Sequence, residues 1–117
     1  MGFSARMEQC LCIVTLEDKV LHGATDELVK YLTPFIERET LQGIILNLNK
    51  VYFIDSSGVS ILAYVYQQLQ RRGASFALSS VRQSVSSVLR ILQLERYVPI
   101  YKTDVEAIEQ LLKAPKP

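Results

Sequence analysis

Few residues of this 117-residue chain have types that can do chemistry, and their spacing narrows the choice further. His22 is the only imidazole, so Ser-His-Asp hydrolysis would have to be built on it. A triad is recognised by geometry, and His22 reads instead as a surface or half-buried residue at the end of a short strand, beside Gly23. Cys10 and Cys12 are spaced C-x-C. In a strand both would point to one face, poorly placed for a disulfide and unlike the C-x-x-C of redox and zinc sites. They read as two small buried hydrophobes. One His, two Cys and scattered carboxylates give no recognisable metal-ligand set. The sequence has no phosphate loop, no G-x-G-x-x-G and no H-E-x-x-H. Asp55 and Ser56 are neighbours, a poor arrangement for base and nucleophile. No enzyme, cofactor or metal is expected.

What remains is Phe53-Ile-Asp-Ser-Ser-Gly-Val59. Asp, Ser and Ser are preferred helix caps and Gly allows a tight turn, so any strand-to-helix junction could carry this run. The functional alternative is a serine hydroxyl displayed at a helix N-terminus, open to modification or to a partner. Val59 to Tyr66 (VSILAYVY) is apolar or aromatic at seven of eight positions, more than the single stripe that packing on a sheet requires. Val59, Leu62, Val65 and Leu69 form such a stripe, leaving Ile61, Tyr64 or Tyr66 to face outward or to meet a neighbouring helix. The first outcome would mark a protein-binding surface.

The elements that must position this run alternate along the chain. Gln9–Leu16 reads as a strand, Glu17-Asp18 as a turn and Lys19–His22 as a short partner strand. Thr25 and Asp26 are cap candidates for a helix carrying Leu28, Leu32, Phe35 and Ile36, which Pro34 should kink or end near Thr33. Ile44–Leu48 is the next strand, Gly58–Arg72 a helix with Gly73 as left-handed cap, and Ser75–Ser79 a strand. Arg82–Leu92 reads as a helix, Val98–Tyr101 as a short strand and Val105–Leu112 as a last helix before a frayed end over 112–117. The expected fold is α/β: one domain over 1–117, with a four- to five-stranded mixed, mostly parallel sheet and about four helices. An antiparallel pair can open it.

Composition agrees with a folded binding module. Thirteen Lys+Arg against twelve Asp+Glu leave a net charge of +1, without the basic excess of a nucleic-acid binder. Apolar residues are 49% and charged residues 21%, ordinary globular usage. The longest apolar run, Ile61–Tyr66, is far short of the roughly 20 residues that cross a bilayer, so no membrane insertion is expected. The first residues suit neither a secretory signal nor, with Arg6 in place of Ser or Thr, myristoylation. A cytoplasmic location is expected.

The stretch GIILNLNKVYFIDSSGVSIL, residues 43–62, resembles the characteristic pattern of STAS domains, specifically the bacterial anti-sigma factor antagonists. KVLHGATDELVKYL upstream and RRGASFALSSVRQSVSSVLRILQLERYVPIYKTDVEAIEQL downstream extend the likeness over nearly the whole chain. The resemblance implies partner switching and therefore transcription regulation. The unmodified antagonist binds an anti-sigma factor that is also a serine kinase, releasing a sigma factor. Phosphorylation of the first serine of Asp-Ser-Ser-Gly, here Ser56, ends the association, and a serine phosphatase resets it. Ser57 is the runner-up for modification, and Asp55, Ser56, Ser57, Gly58, Val59, Ile61 and Leu62 are the implied partner-binding residues.

Three positions depart from the family pattern. Asn47 stands where many relatives have Asp, Gln93 where a helix-ending glycine is common, and Ser60 where a larger residue or glycine is frequent. Ser79, Ser80, Ser84, Ser86 and Ser87 are further candidate phosphosites. A subunit of a signalling assembly or of a lipid transporter complex is the alternative function on the same fold. A nucleotide-binding module using the helix N-terminus as an anion site is a third. The sequence leaves self-association open.

Overall fold

The computed structural model describes residues 2–22 and 27–113. Strands β2 (Leu11–Leu16), β4 (Gly43–Asn47) and β6 (Ser75–Ser79) are buried along most of their length. Such runs suit parallel strands covered on both faces. They pair in parallel, Leu11 opposite Gly43 and Gly43 opposite Ser75. Strand β1 (Phe3–Glu8) lies antiparallel on one edge and β7 (Ile100–Tyr101) parallel on the other, giving the order β1-β2-β4-β6-β7. The mixed, mostly parallel five-stranded sheet and four α-helices match the expected α/β class.

The opening of the chain differs from expectation. The antiparallel hairpin is closed at Gln9-Cys10, not at Glu17-Asp18, and Gln9 takes a φ of 56° there. Its first strand was hidden because an edge strand exposed on both faces carries no burial pattern. Cys10 therefore sits in a turn, half-buried, while Cys12 alone is buried on β2. Burial pushes the Cys12 thiol pKa up and keeps it protonated. Strand β3 (Val20–Leu21) leaves the main sheet and pairs in parallel with β5 (Phe53–Ile54) as a separate two-stranded ribbon.

Helices α1 (Glu27–Ile36), α2 (Ser56–Arg71) and α3 (Gln83–Ile91) cover one face of the sheet. Helix α4 (Asp104–Lys113) covers the other through Ala107 against Leu11, Ile13, Ile45 and Ala77. α1 does not end near Thr33. It runs through Pro34 to Ile36, whose carbonyl accepts from the Arg72 guanidinium at 2.7 Å. α2 closes as expected at Gly73, with φ 72°: Gly73 N–H donates to Gln70 O and Ala74 N–H to Leu69 O, the paired bonds of a Schellman end. A 3₁₀ turn, Leu94–Arg96, follows α3, so the last strand is only Ile100–Tyr101. Leu112 and Lys113 belong to α4 and are not frayed. The expected break at Gly23, caps at Thr25 and Asp26, and tail 114–117 lie outside the described residues.

Candidate functional site

β5 delivers the chain to α2 through Asp55, which caps the helix in an extended conformation (φ −105°, ψ 178°). The helix thus starts at Ser56, two residues earlier than the sequence suggests. Asp55 Oδ1 accepts from the Gly58 amide at 2.8 Å and from the Ser57 hydroxyl at 2.6 Å. Donors aimed at a carboxylate favour its charged form. The Ser57 bond first, and the Gly58 amide next, hold the Asp55 pKa below its ordinary value, and His22 nearby adds a smaller pull. The folded end of β3 thereby brings the one imidazole near the site, a placement the sequence did not suggest.

Gly58 is needed for close packing. A Cβ there would lie 2.4 Å from the Leu21 carbonyl oxygen and 2.9 Å from Ile54 Cγ1. The first turn of α2 can press onto the β3–β5 ribbon only because that atom is missing. The space left by the missing Gly58 side chain is thus filled by β3, while Ser56 and Ser57 beside it stay exposed.

The seven expected partner-binding residues divide by burial. Asp55, Ser56 and Ser57 are exposed, Ile61 is half-buried against the core, and Gly58, Val59 and Leu62 are buried. Gly58 and Leu62 thus shape the surface from behind, and Val59 shows only its edge, 7% exposed. The predicted stripe Val59, Leu62, Val65 and Leu69 is buried as a set.

The two adjacent serines differ in what their hydroxyls do. Ser57 is engaged by Asp55. The Ser56 hydroxyl makes no hydrogen bond to another described residue, and its carbonyl accepts from Ser60 Oγ at 3.1 Å. At the first helical position it faces the positive end of the macrodipole. The other candidate serines are tied down. Ser79 is fully buried on Asp104, Ser80 donates to Lys102 O, Ser84 to Tyr52 O, and Ser86 and Ser87 both donate to Gln83 O.

Beside Ser56 runs a groove of about 300 Å³, walled by Val59, Ser60 and Ala63 of α2 and by Leu92, Leu94 and Tyr97 opposite. It continues along α2 past Tyr66 and Gln70. Gln93 makes this wall. Its left-handed conformation (φ 62°) ends α3 and turns Leu94 into the core, leaving Leu92 44% and Tyr97 61% exposed. Ile91 (76%) and Phe53 (70%) are also open to solvent. The sequence leaves Ile61, Tyr64 or Tyr66 either to face outward or to meet a neighbouring helix. Ile61 and Tyr66 are half-buried, Tyr66 beside the Tyr97 ring, and Tyr64 is exposed. The signal for the rest was Ile91, which falls off the Val85-Val88-Leu89 stripe. Asn47 is not at this site: it donates to Asp104 Oδ1 at 3.0 Å on the α4 side.

Among the described residues no cluster of three His, Cys, Asp or Glu could hold a metal, and no helix is long and apolar enough to cross a membrane. The arrangement is suited to displaying a hydroxyl beside an apolar surface on an α/β scaffold. A family model described as the STAS domain matches residues 4–107, and the chain belongs to that family. The anti-sigma F factor antagonist of Paenibacillus polymyxa is 28% identical over 99 residues, covering 85% of each chain. The solved structure of TM1081 from Thermotoga maritima superposes with a TM-score of 0.83 at 25% identity, over 97% of this chain and 91% of that one. The anti-sigma factor antagonist SpoIIAA of Bacillus shares the fold at 21% identity in its unphosphorylated form, with a TM-score of 0.79 over 98% of this chain and all of that one.

Proposed function

We propose that this protein is an anti-sigma factor antagonist that works by switching partners. Unmodified, it binds an anti-sigma factor that is also a serine kinase, and the sigma factor is released. Phosphorylation of Ser56 ends that association, and a serine phosphatase restores it. The protein is the substrate and ligand in this cycle, with no catalytic role of its own. The name of the Paenibacillus relative and the forms in which SpoIIAA has been solved, unphosphorylated and phosphorylated, support the reading.

The single observation that carries it is the Ser56 hydroxyl: exposed, unbonded among the described residues, and next to an apolar groove. A phosphate there adds about −1.5 to −2 charges and three acceptor oxygens. Inside the molecule the helix N-terminus tolerates an anion, so the fold persists. Against a partner, the dianion and its water shell would be forced into a packed interface beside the Asp55 carboxylate, where desolvation and repulsion oppose binding. Ser57 is the weaker candidate because its hydroxyl must first leave Asp55. Incubation with ATP and the cognate kinase, followed by mass-spectrometric mapping, tests the assignment. Phosphate on Ser56 is expected; phosphate elsewhere with Ser56 untouched would overturn it.

A further inference from the structure

Among the described residues no strand pairs with the outer edge of β1, and that edge has a donor and acceptor pattern that complements itself. In an antiparallel pair, residues alternate between those that bond the neighbouring strand and those whose N–H and C=O point away. The bond from Glu17 N–H to Gly2 C=O, with Gly2 and Glu17 opposite each other in the register, sets the phase. Gly2, Ser4, Arg6 and Glu8 therefore bond β2, and the N–H and C=O groups of Phe3, Ala5 and Met7 point outward. An open edge of this length is a template for another strand.

β1 lacks the usual protections. It contains no Pro or Lys, and its register with β2 runs through six consecutive pairs without a bulge. Its charges lie on the α4 face and are balanced within the chain, Arg6 standing 3.6 Å from Glu8 and 3.5 Å from Asp104. One Arg and one Glu give the strand no net charge to repel a copy of itself. On the other face Phe3 stacks on Tyr31 at 4.4 Å, while Met7 is 43% exposed.

We propose that two copies of this chain pair through β1, antiparallel about a two-fold axis at Ala5. In that register Ala5 meets Ala5, and Phe3 of each copy meets Met7 of the other. All three outward residues are then in hydrogen-bonded pairs, so every outward N–H and C=O is satisfied. The small Ala side chains leave the axis uncrowded, and Phe3 opposite Met7 makes a favourable sulfur–aromatic contact. The two five-stranded sheets become one of ten strands. A single strand pair buries less than a standard interface, so the dimer is weak and concentration-dependent. No residue of β1 lines the groove beside Ser56, so the pairing is independent of the partner-switching proposal and leaves that site open.

Sedimentation equilibrium of the full chain up to millimolar concentration, with amide exchange at each concentration, tests this. A reversible monomer–dimer equilibrium is expected, with the Phe3, Ala5 and Met7 amides gaining protection as dimer forms. Ala5→Pro removes an N–H that β2 does not use, and Ala5→Lys brings two like charges together at the axis. Each should weaken the dimer by roughly tenfold or more, and Ala5→Lys decides the matter if the proline variant is misfolded. A monomer at every concentration, a dimer that Ala5→Lys leaves intact, or a dimer without protection of those three amides would overturn the proposal.

Discussion

The Ser57 hydroxyl donates to Asp55 Oδ1 at 2.6 Å, and this one bond makes two neighbouring serines chemically different. It consumes the Ser57 hydroxyl in the cap and leaves that of Ser56 facing outward. It is also the largest of the interactions that lower the Asp55 pKa. The sign of the pH effect follows. A carboxylate whose folded pKa is depressed contributes stability that is fully present above its unfolded value, near 3.9, and is lost as pH falls through the lower folded value. Comparing acid unfolding of the wild type with Asp55→Asn should show that the wild type loses more stability below about pH 4. Parallel pH profiles would contradict the cap geometry.

Gly58→Ala should destabilise the fold. The new Cβ would meet the Leu21 carbonyl oxygen at 2.4 Å, a backbone atom that cannot swing aside. Overpacking of this kind costs about 1–3 kcal/mol, read as a lower denaturant midpoint. An unchanged midpoint would mean that α2 and β3 separate freely.

Gln93→Gly should have the opposite effect. Gln93 holds a φ of 62°, a region in which an L-residue pays steric strain that glycine avoids. Part of the gain is offset by the greater freedom of glycine in the unfolded chain and by the exposed Arg96–Gln93 bond at 3.0 Å. A net stabilisation of about 0.5–1 kcal/mol is expected from chemical denaturation, with an unchanged slope.

Much of the architecture was legible because β2, β4 and β6 carry apolar runs that only a doubly covered sheet can bury. The α2 stripe at Val59, Leu62, Val65 and Leu69 also states its own period. The rest was set by tertiary partners. β1 has no burial pattern to read, and β3 pairs with β5 across more than thirty residues of chain. At the candidate site, the run Asp55 to Gly58 was visible as residue types, but their separate roles were not. Gly58 is explained by a β3 carbonyl, Ser57 by a carboxylate orientation, and the groove by the left-handed turn at Gln93. Leu92 shows the limit of periodicity: it fits the α3 stripe in sequence, yet the helix stops one residue earlier and leaves it in the groove wall.

Asn47→Asp probes the opposite side of the sheet. The Asn47 amide donates to Asp104 Oδ1, which also accepts from Ser79. A carboxylate in its place would replace a charge-assisted hydrogen bond by repulsion, a loss of about 2 kcal/mol. Thermal melts at low and high salt should show the deficit shrinking as the repulsion is screened. An equal deficit at both would rule out charge as the cause.

The most direct measurement is titration calorimetry of the proposed anti-sigma factor kinase with unmodified protein and with protein phosphorylated at Ser56. A loss of about 3 kcal/mol, more than a hundredfold in affinity, is expected for the phosphorylated form, with its melting temperature little changed. Equal affinities for the two forms would contradict the claim that a phosphoryl group on this hydroxyl ends the association.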